Sequence, residues 1–132
     1  MIVLDASAAV DLVLRRPEQG PWVAERVFAG GSLHSTHLID LEVASALRRF
    51  VATGTMSVDR ARQGLDVFLR LAITRHAPRV LVERVWALRG SFTAYDASYV
   101  ALAEALDAAL VTTDARLARA GGHRATVSSF PG

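Results

Sequence analysis

Ile2-Val3-Leu4-Asp5 and Ala109-Leu110-Val111-Thr112-Thr113-Asp114 share a form that narrows the choice of fold. Each is a short aliphatic run suited to a buried strand, and each stops at a carboxylate. Around them the apolar residues recur at three- and four-residue spacing, the period of helices. Ser7 to Leu14 reads as a helix with Ala8, Ala9, Leu12 and Val13 toward a core, stopped by Arg15-Arg16-Pro17. Gly20-Pro21 opens a second helix through about Phe28, with Pro21 near the first helical position where its missing N–H costs nothing, and Gly30-Gly31 closes it. Ser32 to Ser35 is a weak second strand. A long helix from His37 to Thr53 carries Leu38, Leu41, Ala44, Leu47 and Val51, with Gly54 as its C-cap, and Ser57 caps the next helix to about Leu71. The remainder reads as a strand Ile73 to His76, helices Pro78 to Leu88 and Thr93 to Leu106, the strand Ala109 to Thr112, a short helix Ala115 to Ala120 and a strand Ala125 to Val127. Strands alternating with helices imply an α/β fold with a mainly parallel sheet covered on both faces.

The length of 132 residues suits one domain over residues 1–132, and no repeat or linker divides it. Apolar residues fall in short groups, none near the roughly 18 to 20 uninterrupted residues of a membrane span, so a soluble protein is expected. The N-terminus shows no basic segment followed by a long apolar stretch, so no secretory signal is read. With no cysteine, disulfides and thiolate metal sites are excluded, and the composition fits a reducing cytoplasm. All 15 basic residues are arginine, the side chain best shaped to fork onto phosphate oxygens. If four of the 13 acids are held in one site, the rest of the chain carries 15 basic against 9 acidic groups. An acidic pocket in a basic surface suits a polyanionic substrate handled through metal ions.

In open α/β sheets, sites form beyond the carboxyl ends of strands where the strand order reverses. Asp5 and Asp114 stand at two such ends, although each also fits a plain helix N-cap. Asp96 completes Thr93-Ala94-Tyr95-Asp96, the form of a capping box in which its carboxylate reaches back to the Thr93 backbone. Its flank places Tyr99 and Val100 one turn beyond and Ala103 two turns beyond, an apolar face that draws the carboxylate coreward. Glu42 shares a face with Leu38, Ile39 and Ala46 and has no basic residue three or four positions away, so a buried Glu42 needs another partner. Asp40 competes with it, and solvent exposure at a helix rim is the alternative for either. Gathered carboxylates repel by about 4 kcal/mol per pair at about 4 Å and an effective dielectric near ~20. Something cationic must hold them together. Oxygen ligands without cysteine or suitably spaced histidine select a hard ion, Mg²⁺ or Mn²⁺, and such ions orient water for attack on a phosphodiester.

The weaker signals have mostly structural readings. Ser7, Thr112 and Thr113 are placed to hydrogen-bond carboxylates or metal-bound water. His34, His37, His76 and His123 read as surface or satisfied histidines. Arg48-Arg49 ends the long helix, where cations favour the dipole, with RNA contact as the lesser reading. Trp22 and Trp86 read as core or dimer contacts rather than base-stacking platforms.

With these residues in place, the sequence resembles a PIN-domain ribonuclease of the VapC toxin type, from bacterial toxin–antitoxin pairs. The matching stretches are IVLDASAAVDL, LEVASALRR, YDASYVALAEAL with the preceding Thr93, and ALVTTDARLARA, which span almost the whole chain in the family's order. The resemblance implies Asp5, Glu42, Asp96 and Asp114 as a metal-binding catalytic quartet, choosing Glu42 over Asp40. It also implies a five-stranded parallel sheet with the strands of Asp5 and Asp114 adjacent, a homodimer, and a VapB-type antitoxin whose C-terminal segment covers the site. One departure stands out: some family members carry an acid or amide two positions after the last aspartate, where this chain has Arg116. A second metal is therefore expected to bind weakly, or only with RNA present.

Other α/β readings lack their key residues. A receiver domain needs a lysine near its last strands, and there is none. A haloacid-dehalogenase-type phosphatase needs Asp-x-Asp after the first strand, and position 7 is Ser7. No G-x-G-x-x-G or G-x-x-x-x-G-K-[ST] occurs. The expected function is thus a Mg²⁺- or Mn²⁺-dependent endoribonuclease toxin, the alternative being a PIN-like module that binds RNA or protein without cutting.

Overall fold

In a computed structural model, which describes residues 1–131, five strands form one sheet. They are β1 (Ile2–Leu4), β2 (Leu33–Thr36), β3 (Ile73–His76), β4 (Ala109–Thr112) and β5 (Val127–Ser129). Every pairing is parallel, in the order β3-β2-β1-β4-β5. The chain steps from β1 outward to β3, then returns across the sheet to β4 on the other side of β1. The strand order therefore reverses between β1 and β4, and a crevice opens beyond their carboxyl ends.

Helices α1 (Ala6–Val13) and α2 (Gln19–Ala29) join β1 to β2, and α3 (Leu38–Ala52) and α4 (Val58–Arg70) join β2 to β3. A 3-10 turn (Pro78–Leu81), α5 (Val82–Ala87) and α6 (Ala94–Leu106) lead back to β4, and α7 (Ala115–Arg119) joins β4 to β5. Since right-handed crossovers stepping in opposite directions cover opposite faces, the sheet is wrapped on both. Val3, Leu4 and Leu110 are wholly buried, as central parallel strands require. In α6 every residue from Ala97 to Ala103 is buried, so this helix runs through the core with Asp96 at its mouth.

The expected element order holds, with shifts at the ends. The helix expected over Pro78 to Leu88 starts as a 3-10 turn, and the last strand begins at Val127 rather than Ala125. Its place is set by the register Leu110↔Val127 with β4, a tertiary constraint that its own side chains do not encode. The buried face of α3 also differs from the expected one. Ile39, Val43 and Leu47 are buried while Leu41 is 74% exposed, because α3 carries two apolar stripes and only the one facing α1 and α4 is covered. Trp86 is exposed, with the Arg89 guanidinium 4.7 Å from its ring centre, so it is no core residue. Trp22 packs edge-on against Phe130. The histidines read as expected: His34 Nδ1 and His76 Nε2 share a 2.9 Å hydrogen bond, His123 bonds the Ala120 carbonyl, and His37 is exposed.

Leu4 is 0% exposed and directly precedes Asp5, whereas Val80 is 80% exposed. Leu4→Ala is expected to lower the unfolding free energy by about 2–5 kcal/mol and Val80→Ala by less than about 0.5 kcal/mol, both read from urea denaturation. Equal losses would contradict this placement of the core.

Candidate active site

Asp5 leaves the end of β1 and caps α1, joining the two readings its position allowed. Its Oδ1 accepts the Ala8 N–H at 2.9 Å and the Ser7 hydroxyl at 2.7 Å. Its Oδ2 accepts the Thr112 hydroxyl at 2.5 Å. Because β4 pairs with β1 in parallel, the last residue of β4 reaches this carboxylate from the neighbouring strand. The Thr112 oxygen also accepts the Asp114 N–H at 3.0 Å, and Ser7 Oγ accepts the Thr113 N–H at 3.2 Å. Asp114 in turn caps α7, its Oδ1 accepting the N–H groups of Arg116 at 2.9 Å and Leu117 at 3.3 Å. The two strand ends are thus laced into one unit by short polar side chains.

Two distant helices complete the site. Thr93 caps α6, accepting the Asp96 N–H at 3.2 Å. The reciprocal bond of a capping box is not formed among the described residues, so the Asp96 carboxylate is left to face the cavity. Glu42 projects from α3, whose neighbouring Ile39 and Val43 are buried against the core. Asp40 points elsewhere and is held bidentately by Arg75 at 2.7 and 2.8 Å. The geometry therefore separates the two acids that periodicity left equivalent.

Asp5, Glu42, Asp96 and Asp114 all line one cavity of about 510 Å³, together with Ser7, Asp11, Arg49, Tyr99, Thr113 and Arg116. Their side chains are grouped but not drawn into a single tight shell: among the described residues no three acids or histidines converge closely enough to ligate one ion unaided. That spacing suits Mg²⁺, which keeps several of its own waters and takes only one or two carboxylates directly.

Burial dominates the electrostatics. The Asp5 carboxyl is pushed up to about 6 by loss of solvent, opposed by its bonds from Thr112, Ala8 and Ser7 and reinforced by the charge of Asp114. Glu42 is raised by burial and, to a lesser extent, by Asp96. Asp96 is raised by burial and by Asp114, with the nearby Arg116 opposing. Glu42 Oε1 is buried without a hydrogen-bond partner, and so is the hydroxyl of Tyr99. The phenol lies close enough to ease the charge on Glu42, yet outside hydrogen-bond geometry. Buried polar atoms of this kind call for a partner, and crowded carboxylates call for positive charge. A hard divalent cation with its waters meets both demands, so the residues present fit one.

Three polar lining residues were not assigned to the metal site by the sequence. Tyr99 read only as part of an apolar face, although it lies one helical turn beyond Asp96. Arg49 read first as a helix-end cation and only second as an RNA contact, although it stands two turns beyond Glu42 on the same face. Asp11 lies one turn beyond Ser7 on α1. In each case the available signal was helical spacing from a residue already suspected.

Residues 2–123 match the PIN domain. A VapC ribonuclease of Mycobacterium bovis is 43% identical over 131 residues, covering 99% of each chain. The VapC12 ribonuclease of Mycobacterium tuberculosis is 40% identical over 127 residues, covering 96% of this chain and 97% of its own. Among solved structures, a Pyrobaculum aerophilum protein superposes with a TM-score of 0.70 at 26% identity over 98% of this chain and 83% of its own. VapBC2 of Rickettsia felis, solved with a DNA fragment of its promoter, gives 0.68 at 15% identity over 99% and 100%. With the domain match spanning nearly all of the chain and relatives above 40% identity covering its whole length, this chain belongs to the PIN-domain family.

Proposed function

We infer that this chain is an endoribonuclease toxin of the VapC type, hydrolysing RNA phosphodiester bonds at the carboxylate cavity with Mg²⁺ or Mn²⁺. The observation that carries the reading is convergence: Asp5, Glu42, Asp96 and Asp114 come from four separate segments and line one cavity. In this reading all four hold the metal and are the catalytic residues. When bound, the cation would offset their mutual repulsion and activate water for in-line attack at phosphorus, leaving a 5'-phosphate and a 3'-hydroxyl.

The chain's own residues set the geometry. Asp5 is fixed by three hydrogen bonds, so its carboxylate presents one orientation. Glu42 keeps Oε1 unpartnered and available. Arg49 borders both this cavity and an adjoining one lined by Leu38, Leu41, Ser45 and Tyr95, where it is placed to hold the RNA backbone. Binding through arginine should weaken as salt rises.

The same reading includes protein partners and a single PIN unit over the chain. A groove of about 410 Å³ between α3 and α4 is lined by Leu47, Val51, Val58 and Leu65 and flanked by Arg48 and Arg62. It suits an amphipathic, acidic segment of a VapB-type antitoxin. Exposed Leu41, Val80, Val82 and Trp86 offer apolar area for a homodimer. No described helix is long and apolar enough to cross a membrane. A toxin acting on cellular RNA would work in the cytoplasm.

Purified protein free of antitoxin is expected to cleave RNA with Mg²⁺ or Mn²⁺, to stop with EDTA, and to lose at least about a hundredfold in rate on Asp5→Asn. Equal inertness of folded wild type and variant on total RNA would favour the non-cutting alternative. Stability provides an independent check. Folded Asp5 holds its proton to about pH 6, whereas a free aspartate side chain gives it up near 3.8. Between those values the folded state binds more protons, so metal-free stability falls as pH rises, and above about pH 6 the full penalty, on the order of 3 kcal/mol, persists. Metal-free Asp5→Asn should therefore melt above wild type at pH 8, with the gap closing toward pH 4. A variant that melts lower at pH 8 would contradict a strained Asp5 carboxylate.

A further inference from the structure

The cavity has two chemically different sides. On one, Asp5 has both oxygens held by hydrogen bonds, while Glu42 Oε1 and the Tyr99 hydroxyl are buried without partners. On the other, Asp96 and Asp114 share a cation that the chain itself supplies. Arg116 Nη2 lies 3.7 Å from Asp96 Oδ2 and 3.6 Å from Asp114 Oδ2. Asp114 Oδ1 is already committed to the backbone of Arg116 and Leu117, so Oδ2 is its one oxygen free for a ligand, and that oxygen faces the guanidinium.

We propose that Arg116 takes the place of a second divalent cation, its guanidinium spanning Asp96 and Asp114, so that this chain's site holds one ion where a two-ion site would otherwise form. The inference rests on reading the cavity as a metal site. Both contacts are longer than hydrogen bonds, so the attraction is Coulombic and the side chain, 75% exposed, has no rigid seat. A single positive charge shared by two carboxylates removes much of the repulsion that would otherwise draw another cation between them. A guanidinium stays charged at every physiological pH, so this neutralisation does not depend on metal supply. Arg49, the other arginine of the cavity, pairs with no carboxylate among the described residues and does not perform this role.

The test counts Mn²⁺ bound per chain, by titration of the full-length protein with the free ion followed by electron paramagnetic resonance. Wild type should bind one, Arg116→Ala two, and Arg116→Lys one, since lysine keeps the charge. Arg49→Ala should stay at one, which separates a specific replacement from a general loss of positive charge. Two ions on wild type, or one ion on Arg116→Ala with unchanged affinity, would overturn the role of Arg116 while leaving the metal-nuclease reading intact. No ion on any variant would overturn both.

Discussion

Burying the Asp5 carboxylate next to three half-buried acids is the constraint on which the rest of this structure depends. An acid at the end of a buried strand loses solvent, and a second one beyond the neighbouring strand adds repulsion. The chain answers locally with hydroxyls and helix caps. Thr112 and Ser7 donate to Asp5, and α1 and α7 begin at Asp5 and Asp114 so that backbone N–H groups point at both carboxylates. These contacts reduce the penalty without removing it, and Asp5 remains well above the ordinary range of an aspartate. A core that includes Val3, Leu4, Leu110 and most of α6 holds the strained groups in place.

Function follows from the same strain. Groups that resist ionisation alone would gain from a bound cation, because the ion relieves repulsion and desolvation together. The chain as a whole has the opposite character: all 15 of its basic residues are arginine, against 13 acids, and two of them, Arg49 and Arg116, line the acidic cavity. In the proposed reading a polyanion would be drawn toward the protein by the arginines and would reach the chemistry through a counter-ion at the cavity. Arg116 stands where these two features meet, a surface-type charge turned onto site carboxylates.

Much of this was legible in the sequence, since strand-ending carboxylates are local patterns. Asp5 and Asp114 could be placed from their flanking residues, and Asp96 from the cap at Thr93. The choice of Glu42 over Asp40 came from family resemblance, because one helix carried two candidate faces. The structure gives the physical reason: Asp40 is neutralised by Arg75 from β3, a partner 35 residues away that no helical period reveals. The exposed Leu41 and the shift of β5 have the same origin, for both depend on which surface a distant element happens to cover. Tyr99 escaped notice because an aromatic ring on a buried face looks like core, and only its hydroxyl, lying among acids, says otherwise.

In the proposed reading the four carboxylates hold a divalent cation at the reversal point of the sheet. Crystals equilibrated with Mn²⁺, measured across the manganese absorption edge, test it most directly. One anomalous peak is expected within the cavity, coordinated directly or through water by Asp5 and its partner carboxylates Glu42, Asp96 and Asp114. A cavity without a peak at saturating Mn²⁺, or a peak only at acids elsewhere on the surface, would contradict it.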